Sequence, residues 1–216
     1  MPTIKLTVEY DGSGFSGWQV QPGHRTIQGE LQRVLEQILR ENIPVITASG
    51  RTDAGVHARA QAVCFKCEQI PDFYKLINSV SNILKGELSI LKAEIVADDF
   101  HPTFHVKEKQ YSYHILHRQA PPVHDRGKVW HVSSKLDIER MRKEAKSLEG
   151  IHDFTSLRAG DCQGKTPVKE ILKSEITLDG EYVIYTVVGK GFLKQMVRII
   201  VGTLVQIGRG WFGEQT

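Results

Sequence analysis

The sequence predicts an α+β protein: two ferredoxin-like halves sharing one mostly antiparallel sheet around a central cleft, with helices on one face. Three observations carry this expectation. Stretches with an apolar period of two alternate with stretches whose apolar positions recur at helical spacing. In the first half they run strand, helix, strand, strand, helix, strand, the split β-α-β order. Near residue 104 the order restarts, which places the halves at 1–104 and 105–216. By analogy with the first half, one more strand should follow the last helix. None is evident before Thr216, so a closing C-terminal strand is expected to be missing.

The elements follow in order. Ile4, Leu6, Val8 and Tyr10 alternate with Lys5, Thr7 and Glu9, as in a half-buried strand. Asp11 to Trp18 is a Gly-rich loop that lacks the spacing of a dinucleotide or P-loop phosphate cradle. Leu31, Val34, Leu35, Ile38 and Leu39 lie on one helical face, and Thr26 is placed to cap that helix. Pro44 to Thr47 reads as a short strand and Ala58 to Phe65 as the next one. Leu76, Ile77, Val80, Ile83 and Leu84 form a second helix closed by Gly86, and Leu88 to Val96 returns as a strand. In the second half, Phe104 to Leu116 reads as a strand and the Trp130 region as a short edge strand. Ile138, Met141, Ala145 and Leu148 mark a helix. Ile171 to Leu178 and Tyr182 to Val188 form a hairpin across Asp179-Gly180, and Leu193 to Leu204 gives the last helix.

Composition excludes several classes. The chain has 216 residues, 40% hydrophobic and 25% charged, the balance of a globular protein with a sizeable core. No apolar run approaches the ~18 residues of a membrane span, no signal-peptide core opens the chain, and three cysteines make no disulfide framework. These features place the protein in the cytoplasm, away from membranes. The net charge of +3 divides unevenly: residues 1–104 carry 10 Lys/Arg against 12 Asp/Glu, a balance of −2, and residues 105–216 carry 18 against 13, a balance of +5. A polyanion would bind the second half.

The most chemical stretch is Gly50-Arg51-Thr52-Asp53-Ala54-Gly55-Val56-His57, set between two strands. In an extended backbone Arg51 and Asp53 project to one side ~7 Å apart, so the guanidinium can reach the carboxylate and keep it ionised. An ionised carboxylate in a tight loop is a potential nucleophile. The plainer alternative is an ordinary turn with a surface ion pair. Lys107, Lys109, Tyr111 and Tyr113 alternate along a strand and read either as a base-stacking surface beside cations or as core tyrosines. Arg198 stands in an apolar helix and either snorkels to solvent or pairs with a carboxylate or phosphate. Cys64-Phe65-Lys66-Cys67 lacks the second pair that zinc requires. His101, His105, His114 and His117 form no metal-binding pattern, so no metal is expected.

Several segments, in order along nearly the whole chain, resemble the TruA family of tRNA pseudouridine synthases. They are Tyr10-Asp11-Gly12 with Gly17-Trp18-Gln19; Thr26-Ile27-Gln28-Gly29; Gly50 to His57; Phe100-His101; Lys109 to Tyr113; His152-Asp153-Phe154; and Phe192-Leu193 with Met196-Val197-Arg198. The resemblance implies isomerisation of uridine to pseudouridine in the tRNA anticodon arm, around positions 38 to 40, by a homodimer with no cofactor. By position Asp53 matches the family's catalytic aspartate, Arg51 its neighbouring arginine, Tyr111 its active-site tyrosine and Arg198 the arginine that pairs with the aspartate. Attack by Asp53 at C1′ of the ribose or at C6 of the base stays open. Tyr111 would stack on a flipped base. Lys107, Lys109, Arg140, Lys143 and Lys190 would contact tRNA phosphates. Three features depart from the family pattern: Thr103 stands where an arginine is usual, Gln195 where a histidine is common, and the closing strand is missing. A non-catalytic RNA-binding module on the same scaffold is the alternative; a carboxylate-dependent hydrolase lacks a second carboxylate or metal set.

Overall fold

A computed structural model describes residues 1–162, 164 and 166–211. The chain is α+β, with two sheets and four helices, and divides into Met1–Val106 and Lys107–Thr216.

The first unit contains β1 (Thr3–Tyr10), α1 (Ile27–Leu39), β2 (Thr47–Ala48), β3 (Ala58–Lys66), α2 (Phe73–Ile83) and β4 (Leu88–Val96). The sheet order is β2-β3-β1-β4, antiparallel throughout. The period-two pattern of β1 fixes its register: Ile4 lies opposite Phe65 and Ile95, and Leu6 opposite Val63 and Ala93. Ile4, Leu6, Val8 and Tyr10 meet Leu31, Val34 and Leu35 of α1 and Leu76 and Val80 of α2 in one core. Both helices are capped as their sequences dictate. The Thr26 hydroxyl accepts from the Gly29 amide at 3.3 Å, and the Asp72 carboxylate accepts from the Lys75 amide at 3.1 Å.

The second unit contains β5 (Lys109–Leu116), β6 (Trp130–His131), α3 (Ile138–Lys146), β7 (Gly150–Asp153), β8 (Val168–Asp179), β9 (Tyr182–Gly189) and α4 (Met196–Gly208). Its sheet order is β6-β5-β9-β8-β7, with only β5 and β6 parallel. Asp179-Gly180 turns the β8–β9 hairpin, with Asp179 opposite Tyr182 and Gly180 at φ +56. Val183, Tyr185 and Val187 of β9 pack with Met141 and Ala145 of α3 and Ile200, Val201, Leu204 and Val205 of α4. A side chain at Gly208 would come within 2.6 Å of the Met141 sulfur, so the two helices approach closely there.

Three expectations are corrected, and one element was missed. The strands form two sheets and not one shared sheet: among the described residues every ladder pairs strands of the same unit. Alternation locates strands but carries no information about which edges join. The strand expected from Phe104 begins at Lys109, because residues 101–105 fold into turns in which the Phe104 and His105 amides donate to the His101 carbonyl. The last helix begins at Met196, because Gln195 adopts the left-handed conformation, φ 60, and ends the helical path on its N-terminal side. Strand β7 was not foreseen; its four residues are all exposed and carry no alternation. The expected absence of a closing strand after α4 concerns residues 212–216, which lie outside the described residues.

Candidate active site

The segment from Ser49 to His57 crosses from β2 to β3. Each end is tied to a different part of the Gly-rich 11–18 segment. At the entry, the Trp18 amide donates to the Thr52 carbonyl at 2.9 Å, and the Thr52 hydroxyl lies 2.8 Å from the Tyr10 hydroxyl. Tyr10 gives its phenolic proton to Gln61 Oε1 at 3.0 Å, so Thr52 is the donor to the Tyr10 oxygen. Gly17, at φ +89, lies so close to this backbone that a Cβ would come within 2.8 Å of the Thr52 carbonyl oxygen and 3.2 Å of Asp53 C. Neither the conformation nor the space admits a side chain.

At the exit, the Val56 amide closes a turn onto the Asp53 carbonyl at 3.2 Å, with Gly55 at φ +76. The Val56 carbonyl oxygen rests on Gly12, where a Cβ would lie only 2.0 Å away. The next residue, His57, accepts the Gly12 amide through Nδ1 at 3.2 Å. The loop is therefore held mainly by backbone contacts made where glycine leaves room. The glycines of the 11–18 segment, which lack the spacing of a phosphate cradle, let two chain segments touch.

Asp53 is half-buried and Arg51 exposed on this loop. The other sequence-derived candidates lie in the second unit. Tyr111, on β5, sits opposite Val187 and places its ring edge-on to Phe192 at 5.0 Å and 83°. Tyr113 meets Trp130 similarly at 6.4 Å. Both rings are half-buried against the core of that unit, so they serve packing and also present an accessible edge. Arg198 lies in the first turn of α4 and is exposed.

The five basic candidates differ in availability. Lys107 and Lys143 are exposed. Lys109 is half-buried, and burial holds its ammonium pKa below the ordinary value. Arg140 is half-buried on α3. Lys190 is engaged with Glu170 at 2.7 Å. Thr103, the departure from the expected arginine, donates its hydroxyl to the Ala48 carbonyl at 2.8 Å, one residue before the loop begins.

The cysteines and histidines carry no metal centre among the described residues. Cys64 and Cys67 are buried free thiols whose pKa values burial pushes up, the condition of inert packing residues. No described helix is long and apolar enough to cross a membrane.

Sequence reasoning missed Tyr10, Thr52, Gln61 and His57 as loop supports. Tyr10 and Gln61 read as strand residues, and pairings across 42 to 51 positions leave no local pattern. The one available signal was the density of glycine from Gly12 to Gly17, which marks close backbone approach.

A family model described as tRNA pseudouridine synthase matches residues 145–215. The tRNA pseudouridine synthase A of Citrifermentans bemidjiense is 41% identical over 210 residues, covering 97% of this chain and 84% of the relative. That of Pelobacter propionicus is 39% identical over 212 residues, covering 98% and 86%. That of Myxococcus xanthus is 40% identical over 211 residues, covering 97% and 79%. At that identity over almost the full chain, the protein belongs to the tRNA pseudouridine synthases, a family of isomerases.

Proposed function

We propose that this chain isomerises uridine to pseudouridine in the anticodon arm of tRNA, around positions 38 to 40, with Asp53 as nucleophile. The observation that carries the reading is the Asp53 loop: a half-buried carboxylate on a segment anchored at both ends, as a reacting group that must be held in place requires. Its support is the name shared by relatives that align over 97–98% of this chain and 79–86% of their own length. In the reaction the N1–C1′ bond breaks, the base turns, C5 bonds to C1′, the C5 proton leaves and N1 takes up a proton. Asp53 would open the sequence by attack at C1′ or at C6, Tyr111 would stack on the flipped base, and Arg51 and Arg198 would hold the carboxylate ionised.

The second half, with its excess of five positive charges, would supply phosphate contacts through Lys107, Lys143, Lys109, Arg140 and Lys190. Lys190 would first have to leave Glu170. The strand order β2-β3-β1-β4 supports reading the first half as a ferredoxin-like unit. We further propose that the enzyme works as a cytoplasmic homodimer without metal or organic cofactor.

The test is release of tritium from C5 of uridine in unmodified tRNA. Wild type is expected to release label, and Asp53→Asn to release none while retaining tRNA binding. Equal turnover by Asp53→Asn would defeat the nucleophile assignment. Binding without release by wild type would favour an RNA-binding module.

A further inference from the structure

We infer that His57 is a positioning residue for Asp53, acting through Nδ1 alone; the inference rests on the reading of Asp53 as the reacting carboxylate. Two features of the ring carry it. Nδ1 stands at a junction: it lies 3.2 Å from the Gly12 amide that donates to it and 3.1 Å from Asp11 Oδ1. Nε2 is buried and has no hydrogen-bond partner among the described residues. The ring is used from one side.

What Nδ1 holds is continuous with Asp53 in one direction and with the sheet in the other. From His57 the chain runs back through Val56, whose amide donates to the Asp53 carbonyl at 3.2 Å and whose carbonyl oxygen rests on Gly12. From Gly12 it runs to Asp11, whose amide donates to the Glu87 carbonyl at 2.9 Å just ahead of β4, and whose carboxylate accepts the Ser13 amide at 2.9 Å. The 11–12 turn is thus anchored independently of the loop, and His57 transfers that anchorage to the exit of the Asp53 turn. Thr52 and Trp18 fix only the entry. The His57 contact adds a side-chain tie at the exit, one residue ahead of Ala58, which pairs with Tyr10 at the start of β3, and its loss would loosen the Asp53–Val56 turn where a misplacement near 1 Å costs about a hundredfold in rate.

Nδ1 has one site to offer. It either accepts the Gly12 amide with its lone pair or carries a proton for Asp11. Asparagine places both an acceptor and a donor at that same distance from Cα, whereas glutamine places them one bond further, where Nε2 stands. This separates a positional role from a structural one.

The experiment measures kcat, KM and tRNA binding by C5 tritium release for His57→Ala, His57→Gln and His57→Asn, with a thermal melt of each and Asp53→Asn as control. The Ala and Gln variants are expected to lose kcat by about ten- to a hundredfold, with KM and binding within about twofold of wild type. The Asn variant is expected to recover kcat to within about threefold. If His57→Ala does not fold, the Gln and Asn pair still decides. Equal kcat for Gln and Asn, or wild-type kcat per folded molecule for Ala, overturns the inference while the Asp53 reading stands. Turnover by Asp53→Asn defeats that reading instead.

Discussion

Replacing Gly12 by alanine probes the fixed path of the Asp53 loop more directly than any change within the loop. Gly12 has an ordinary backbone conformation, outside the set of positive-φ glycines, so alanine is admissible there on torsional grounds and the perturbation is purely steric. The added Cβ would lie 2.0 Å from the Val56 carbonyl oxygen and 2.7 Å from its carbonyl carbon, and 3.0 Å is the shortest approach real Cβ atoms make. One partner must retreat by about 1 Å, and the turn is tethered through Asp11 to Glu87, so the displacement falls on the exit of the loop. Overpacking of this kind costs about 1 to 3 kcal/mol, partly offset by about 0.4 to 1 kcal/mol from the lower entropy of the unfolded chain. At about 2 to 4 °C per kcal/mol, Gly12→Ala should lower the Tm by a few degrees. A loop displaced by about 1 Å should lose kcat by about a hundredfold with tRNA binding intact. Single-turnover tritium release on tRNA, beside a thermal melt, reads both quantities. A lowered Tm with wild-type kcat would show that the 11–14 turn gives way and the loop does not, which refutes the claim that the turn sets the position of Asp53.

Three further predictions concern the scaffold. The Tyr185 hydroxyl and the Ser174 hydroxyl meet at 3.0 Å, 1% and 0% exposed, so Tyr185→Phe or Ser174→Ala alone should each cost about 1 to 3 kcal/mol in urea unfolding, and the double variant less than their sum. Burial pushes the Tyr185 phenol up to about 12, only partly opposed by the Ser174 bond. Its contribution is complete below the ordinary value of 10 and fades as pH rises toward 12, so Tyr185→Phe should flatten the alkaline loss of stability. Glu94 is pulled down to about 2 by hydrogen bonds from Lys5, at 2.8 Å, and Lys92. Its contribution is present above the ordinary 4.5 and lost as pH falls toward 2. Glu94→Gln should therefore lower the urea midpoint at pH 7 and leave it unchanged at pH 2, and a constant gap across that range would remove the assignment.

The course of the chain was legible wherever one face of an element is buried. Ile4 to Tyr10, the stripe from Leu31 to Leu39 and the Asp179-Gly180 hairpin state their structure locally because burial imposes a period. Residues 150–153 form a strand with no buried face, so no period announces it. The left-handed turn at Gln195 that sets the start of α4 has no side-chain signature, since glutamine is not a residue expected there. The candidate site was legible in its reactive members and opaque in its supports. Asp53 and Arg51 stand out because charged residues flanked by glycines between strands are unusual. Tyr10, Gln61 and His57 act across the fold, and their partners lie 42, 51 and 45 positions away.

The loop's supports also explain why so reactive a segment contains so little apolar material. Ordering a residue costs about 1 to 2 kcal/mol of backbone entropy, and from Arg51 to His57 only Val56 offers a sizeable apolar side chain, itself incompletely buried. The segment cannot repay that cost by burying itself. Its order is instead supplied by neighbours whose own positions are secured by the core: Tyr10 and Trp18, at 4% and 2% exposed, and the 11–12 turn hung from Glu87. Folding the first unit therefore fixes the loop before any substrate arrives, so binding energy need not be spent arranging it. On this account substitutions at Gly12, Gly17 or His57 should act on kcat through the position of one carboxylate, whereas substitutions at Lys107 or Lys143 should act on tRNA affinity and its salt dependence alone.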